Sequence, residues 1–183
     1  MLLVLAAADA HAQSPESPPH DDPFSARRWH AEFALQAALE AWNYNGSHEE
    51  LYGVRQGVAY GLRDGLMVTA QQRIFYVSQR RNDTWILGLT GGLRARAYQR
   101  GRASVFLQFD LGITDAAIAA PPRGTRFNYI AIGGPGVVMR LKSRLDLITS
   151  LDVVHISNAS LKGPDRNPDI EAIGLTSGLV VGF

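Results

Sequence analysis

The segment VFLQFDLGIT, residues 105–114, contains the alternation that decides the fold. Its odd-numbered positions are all apolar, and from Gln108 onward its even-numbered positions hold Gln, Asp, Gly and Thr. Successive side chains of a β-strand point to opposite faces, so a period of two indicates a strand with one apolar and one polar face. The segment is therefore predicted to be a strand that separates an apolar environment from a polar one.

The same alternation recurs along the chain, interrupted by turn signals such as RDG at 63–65 and QRGR at 99–102. The first segment also contains Ala, Leu and Glu, which favour helices, so a helix is the alternative there. Strands are predicted near residues 29–44, 51–62, 66–78, 84–97, 105–114, 127–140, 144–156 and 170–183.

The lengths of these segments favour a membrane barrel over a soluble sheet. Most exceed the roughly 5–6 residues of a typical soluble strand. They suit a tilted transmembrane strand, which needs about 9–11 residues. The turns after strands two, four and six are short, and the loops after strands five and seven are long. Outer-membrane barrels have the same asymmetry, with short periplasmic turns and longer external loops.

Charged residues on the polar faces of the strands indicate that these faces point into the lumen and that the apolar faces point outward. A soluble barrel would bury these charges and leave rows of Trp, Phe and Leu in water, whereas a membrane barrel packs the charges into a small lumen. The last residue, Phe183, resembles the C-terminal signature by which outer-membrane barrels are recognised for insertion. The prediction is an all-β, eight-stranded antiparallel transmembrane β-barrel of the outer-membrane type over residues 29–183. Its lumen is expected to hold pairs such as Arg94 or Arg96 with Glu32, Asp110 or Asp152.

The N-terminal residues predict a signal for export toward that membrane. The apolar run MLLVLAAADAHAQS contains the small-residue pattern Ala10-His11-Ala12. This pattern is typical of a secretory signal peptide, predicted to be residues 1–12; a short buried helix is the alternative. Residues 13–28 include the Pro- and acid-rich stretch QSPESPPHDDPF and are predicted to be a flexible leader. The predicted location is the bacterial outer membrane.

Composition excludes several classes of function. The 183 residues are 46% hydrophobic and 19% charged, which argues against extensive disorder. The absence of cysteine excludes thiol catalysis, cysteine-ligated zinc and disulfides. A formal net charge of +1 gives no basis for a nucleic-acid partner. No metal or cofactor is predicted.

The same alternation places three reactive side chains on the apolar, outward face of neighbouring strands. His155 and Ser157 lie two residues apart on one face of strand seven, the face that also carries Leu151 and Val153. A serine nucleophile needs an adjacent base, and residues two apart on a strand are neighbours. The side chain of Glu171 is predicted to lie on the outward face of strand eight, at the same end of the barrel. A serine, an imidazole and a carboxylate of complementary roles predict an esterase-type site, with Asp169 as a rival for the acid.

The stretches HISNASLK at 155–162 and NPDIE at 167–171 resemble the motif of the PagL-type lipid A 3-O-deacylase family. The resemblance implies an eight-stranded outer-membrane barrel with its active site on the outer surface. It implies hydrolysis of the ester to the 3-position acyl chain of lipid A, with no cofactor. By this resemblance Ser157 is the nucleophile, His155 the general base, Glu171 its orienting partner and Asn158 a contributor to the oxyanion hole.

Two features of the chain depart from that motif. Ser160 stands where a glycine is expected, and GPDR makes the 158–169 loop about two residues longer. The expected partners are lipopolysaccharide and the lipids of the outer membrane, and the resemblance also suggests a homodimer. Loop cations that could meet lipid A phosphates are Arg80, Arg81, Lys162 and Arg166.

Two other readings of the sequence stay open. One is a non-enzymatic small outer-membrane barrel of the structural or adhesion kind, in which the three polar residues are incidental. The other is a soluble ligand-binding barrel. Cell fractionation separates the soluble reading from the other two, and the chemical state of lipid A separates the enzyme from the structural barrel.

Overall fold

The computed structural model describes residues 22–42, 48–163 and 167–183. Within these ranges each strand pairs with the next and the eighth pairs with the first, so the antiparallel sheet closes into a barrel. The predicted eight-stranded barrel is confirmed. No helix among these residues has the length and apolar character needed to cross a membrane. The strands are β1 (Trp29–Glu40), β2 (Glu50–Arg63), β3 (Leu66–Ser78), β4 (Thr84–Arg100), β5 (Ala103–Ala116), β6 (Phe127–Lys142), β7 (Leu145–Ser157) and β8 (Ile170–Gly182).

The two ends of the barrel differ in their connections. At one end, three two-residue turns join the strands, and at two of them Gly65 and Gly101 have φ angles of 81° and 57°, which favour glycine. The first residue of β1 and the last residue of β8 lie at this short-turn end. In outer-membrane barrels the end with short turns is periplasmic and the end with long loops is external. The long-loop end carries the connections 41–49, 79–83, 117–126 and 158–169.

The outer wall of the barrel is apolar, as the alternation predicts. On β1 alone Trp29, Phe33, Leu35 and Leu39 are between 47% and 63% exposed. Aromatic pairs mark both edges of the apolar band. Trp29 contacts Tyr60 near the short-turn end, and Tyr76 contacts Trp85 near the long-loop end, with ring centroids 4.7 and 5.3 Å apart. An apolar wall bounded by aromatic rings is the surface that a membrane barrel presents to lipid.

The lumen is filled by a buried polar network between two apolar clusters. Glu32 lies at its centre, where Arg94 forms a two-pronged ion pair with it and Arg55 Nη2 lies 3.4 Å from Glu32 Oε2. Arg73 pairs with Asp110 at 3.0 Å. The predicted pairing of Arg94 with Glu32 is confirmed. Asp152 accepts hydrogen bonds from the neutral side chains of Gln108 and Thr176.

The prediction was wrong for Arg96. Arg96 does not reach Glu32, Asp110 or Asp152; its Nη1 lies 2.6 Å from Asp22 Oδ2. The cause is that residues 22–28 fold against the short-turn end of the barrel. Phe24 is fully buried in the apolar cluster at the short-turn end of the lumen, where it packs on Phe106. The rest of the predicted leader, residues 13–21, and the predicted signal peptide, residues 1–12, lie outside the described residues.

The first strand is a strand and not a helix, but it is shorter than predicted. It ends at Glu40 instead of 44, because its pairing with β2 ends there: Leu39 pairs with Glu50, the first residue of β2. Residues 43 and 44 lie outside the described residues. The backbone N–H of Ala41 donates to the carbonyl of Glu171 at 2.8 Å, which ties the end of β1 to the start of β8.

Candidate active site

The structure brings His155, Ser157 and Glu171 together on adjacent strands at the long-loop end of the outer wall. His155 and Ser157 lie at the end of β7, and Glu171 lies near the start of β8. The register places His155 directly opposite Glu171. Opposite residues of an antiparallel pair have Cβ atoms about 4.5–5.5 Å apart, so pairing of β7 with β8 fixes the contact. All three side chains are partly exposed on the wall and do not point into the lumen.

The imidazole of His155 contacts a different partner with each ring nitrogen. Nε2 lies 2.9 Å from Ser157 Oγ, within hydrogen-bond distance. Nδ1 lies 3.6 Å from Glu171 Oε1, which is an ion-pair distance longer than a hydrogen bond. A nucleophile on one side of an imidazole and a carboxylate on the other is the order of a Ser-His-acid site. The arrangement can transfer the serine proton to His155 and stabilise the imidazolium that results.

Asp169 lies in the same cluster, just before β8. One ligand atom each from His155, Asp169 and Glu171 lie within 4.8 Å of one another. An imidazole with two carboxylates offers ligand types that divalent metal ions accept. A serine hydrolase instead needs both imidazole nitrogens for the proton transfer and for the acid partner. The register supports Glu171 as that acid, because it lies directly opposite His155.

The turn after β7 is held by side chains of its own loop and of the β5–β6 loop. Asn158 is buried, its backbone N–H donates to Asn167 Oδ1 at 2.9 Å, and its side-chain amide donates to Thr125 Oγ1 at 3.1 Å. The next two residues, Ala159 and Ser160, have φ angles of 51° and 59°. This left-handed conformation favours glycine and explains why a glycine is expected at position 160. Asn158 thus follows Ser157 in the chain, and its side-chain amide links the turn after β7 to the β5–β6 loop.

A cleft of about 350 Å³ opens beside this turn, between the β5–β6 and β7–β8 connections. Apolar and cationic groups line it together, and Arg126 is also paired with Asp115 at 3.2 Å. Since Asn158 forms part of the wall, the cleft adjoins the end of β7 that carries Ser157. The lining residues are Ala119, Gly124, Thr125, Arg126, Phe127, Asn158, Leu161 and Lys162.

The predicted loop cations are not grouped around one site. Lys162 lines the cleft, whereas Arg80 and Arg81 lie in the β3–β4 loop, across the barrel mouth from β7 and β8. Arg166 lies outside the described residues. The contacts of Asn158 were not predicted from the sequence. Asn167 belongs to the NPDIE stretch, but its bond to the backbone of Asn158 depends on the fold of the 158–169 loop. No local pattern marks Thr125, because only the meeting of two loops gives it a role.

Comparisons with known proteins support the fold. The sequence matches no family model and no curated protein. The solved structures to which the chain is similar include three outer-membrane barrels. Neisserial surface protein A has a TM-score of 0.61 and 12% identity, with 85% of this chain and 96% of that chain covered. OprG from Pseudomonas aeruginosa has a TM-score of 0.58 and 10% identity, with 87% and 97% covered.

The third is the outer membrane enzyme PagL, with a TM-score of 0.55, 16% identity and 81% and 98% of the two chains covered. Identities this low establish a shared fold without a shared activity. The chain thus has the fold of the small eight-stranded outer-membrane β-barrels, a group that includes an enzyme.

Proposed function

We propose that this protein is an outer-membrane lipid A 3-O-deacylase that works through Ser157, His155 and Glu171. The observation that carries the proposal is the 2.9 Å contact between His155 Nε2 and Ser157 Oγ, with Glu171 directly opposite His155 on the outer wall. Placing polar groups on a wall that faces lipid costs free energy, so such groups are expected to have a function. Three of complementary chemistry at one depth are better explained by catalysis than by chance.

The position of the site fits an ester of a membrane lipid. The acyl esters of lipid A join its sugars to its fatty-acid chains, so they lie where the headgroup meets the apolar band. His155 and Ser157 lie at the long-loop end of β7, above the apolar outward residues Leu151 and Val153. Lipopolysaccharide diffusing in the outer leaflet would present its ester at this level, with the acyl chain along the wall and the sugar near the loops.

The reaction would proceed in two steps. His155 Nε2 accepts the proton of Ser157 as Oγ attacks the acyl carbonyl, and the imidazolium then donates that proton to the departing sugar oxygen. Asn158 and the backbone N–H groups of Ala159 and Ser160 would stabilise the oxyanion. Water, deprotonated by His155, attacks the acyl-enzyme and releases a 3-hydroxy fatty acid and free Ser157.

Mass spectrometry of lipid A tests the activity directly. The protein would be expressed in a bacterium whose lipid A retains its 3-O-acyl chains. We expect the lipid A mass to fall by one ester-linked hydroxyacyl chain. The Ser157→Ala protein, produced in the same amount in the outer membrane, should leave the mass unchanged. Unaltered lipid A with the wild-type protein, also in detergent extracts, would favour the non-enzymatic barrel.

Substitution of the two candidate acids separates their roles. Glu171→Gln should lower kcat by roughly 10- to 100-fold, because the imidazolium loses its charged partner. The loss should be smaller than for a buried triad acid, since the side chain of Glu171 is 32% exposed and its contact with His155 is 3.6 Å. Asp169→Asn is the matched control and should retain most activity. A larger loss for Asp169→Asn would reverse the assignment.

The cleft predicts where the phosphorylated headgroup binds. Lys162→Ala should raise KM for lipid A by about three- to tenfold with little change in kcat, because one exposed charge-assisted phosphate contact is lost. The effect should shrink at high salt. Arg81→Ala removes a cation from the far loop and should leave KM unchanged. Equal effects of the two variants would show that general surface charge, and not the cleft, attracts the substrate.

A further inference from the structure

His155, Asp169 and Glu171 form a group of potential metal ligands at the long-loop end of the barrel. One ligand atom from each lies within 4.8 Å of the other two. The proposed proton transfer uses His155 and Glu171 but gives Asp169 no part. Two carboxylates this close repel each other, and a divalent cation between them would remove that repulsion. Asp169 therefore adds a negative charge that suits a bound cation better than it suits ester hydrolysis.

The separations within this group suit zinc ligands. His155 Nδ1 and Glu171 Oε1 are 3.6 Å apart, which is beyond hydrogen-bond distance. Two ligands of a tetrahedral zinc, each about 2.0–2.1 Å from the ion, are roughly 3.4 Å apart. The side chains of His155 and Glu171 are 42% and 32% exposed, so an ion can reach them from solvent. Asp169 is half-buried just before β8, where rotation of its side chain can bring its carboxylate to the same ion.

The ligand types favour one class of divalent cation. Ca²⁺ and Mg²⁺ prefer oxygen ligands alone, whereas zinc accepts an imidazole nitrogen together with carboxylates. Three protein ligands would leave the fourth tetrahedral position of a zinc ion to water. We propose that His155, Asp169 and Glu171 form a Zn²⁺ site, and that zinc bound there blocks the proposed esterase.

The block follows from the position of the imidazole proton, and it rests on the proposed function, whereas zinc binding does not. A neutral imidazole has one N–H donor and one acceptor nitrogen. Without zinc, Nδ1 of His155 faces the Glu171 carboxylate as the donor, and Nε2, 2.9 Å from Ser157 Oγ, accepts the serine proton. Zinc on Nδ1 leaves the ring proton on Nε2. The nitrogen beside Ser157 is then a donor, and the serine has no base.

Calorimetric titration tests the binding without any substrate. Purified barrel in a non-ionic detergent, without a polyhistidine tag, would be titrated with zinc chloride. We expect a saturable site whose dissociation constant rises about tenfold or more in Asp169→Asn, because one of three ligands is lost. The matched control is Asp115→Asn, which removes a 61% exposed carboxylate outside the group and should leave the constant unchanged. Equal zinc affinity of the wild type and Asp169→Asn would overturn the site.

Release of 3-hydroxy fatty acid from lipid A measures the block. Zinc at saturating concentration should inhibit the wild-type protein, EDTA should restore its activity, and equal Ca²⁺ or Mg²⁺ should not inhibit. Asp169→Asn, compared with its own zinc-free rate, should need about tenfold more zinc for the same inhibition. Zinc that acted on the lipid substrate would inhibit both proteins equally, and this result would overturn the block.

The two measurements separate failure of the zinc site from failure of the proposed function. Hydrolysis that continues at the wild-type rate with zinc bound would refute the block and leave the esterase assignment in place. A barrel that binds zinc through Asp169 but cleaves no lipid A would refute the esterase and support the metal site. All variants should migrate as folded barrels on unheated gels, because each exchanges one carboxylate for an amide of the same shape.

Discussion

Replacement of Ser157 by alanine is expected to abolish lipid A deacylation, lowering kcat roughly a thousandfold or more. The variant removes the only atom that attacks the ester in the proposed mechanism, and loss of a serine nucleophile leaves only binding and oxyanion stabilisation. The measurement is release of 3-hydroxy fatty acid from lipid A in mixed micelles, with purified barrel. Because His155 and Glu171 stay in place, the site should still bind substrate.

Ser177→Ala is the matched control for this experiment. Ser177 lies on the same outward face of the wall as Ser157, and its hydroxyl contacts Thr149 at 3.1 Å. Removing it deletes a serine hydroxyl from the lipid-facing wall but touches no proposed reacting group, so activity should remain at the wild-type level. Both variants should keep the mobility of a folded barrel on unheated gels. Full activity in Ser157→Ala would refute the proposed nucleophile, whatever the lipid A spectrum shows.

The fold could be predicted from the sequence because lipid-facing and lumen-facing residues alternate along every strand of a membrane barrel. Each strand needs apolar residues on one face over its whole length, so a pattern of period two appears without knowledge of the partner strand. The same parity placed His155, Ser157 and Glu171 on the outer wall. Their meeting required one more fact, the pairing of β7 with β8, and consecutive strands of a barrel supply it.

Contacts made by loops could not be predicted from the alternation of residues along the strands. Asp22 pairs with Arg96 because the chain before β1 folds across the short-turn end, where Phe24 is buried. Thr125 holds Asn158 because the β5–β6 loop meets the turn after β7. Both contacts join residues from non-neighbouring elements, and loop conformations follow from packing and not from alternation. The sequence therefore predicted that His155, Ser157 and Glu171 would lie together, but not the loop contacts that support Asn158.

Apolar and polar residues alternate irregularly along β3, and this irregularity has a physical cause. Its buried positions include Met67, Phe75 and Val77 at the ends and Arg73 in the middle, because the lumen is apolar at both ends and polar between. The outward position Gln72 reverses the pattern on the other face. The irregularities of β3 therefore follow the lumen network, except at Gln72, whose side chain bonds Gln56 of β2.

The lumen network predicts a large loss of stability when its central carboxylate is removed. Glu32→Ala should lower the free energy of unfolding by about 3–5 kcal/mol, because Arg94 and Arg55 would remain buried without their shared counter-ion. Wild type and variant would be compared by urea unfolding of the barrel in phospholipid vesicles, followed by tryptophan fluorescence. The proposed active site lies on the other face of the sheet, so folded variant protein should keep the proposed activity.

An exposed ion pair supplies the control, and a second substitution tests the cause. Asp115 pairs with Arg126 at 3.2 Å, but both side chains are 61% exposed, so Asp115→Asn should cost only about 0–1 kcal/mol. If Glu32 stabilises the barrel by neutralising Arg94, then Arg94→Ala should cost less in the Glu32→Ala background than in the wild type. Additive losses would show that the two residues act through packing alone. A cost for Glu32→Ala no greater than for Asp115→Asn would mean that water enters the lumen and screens its charges.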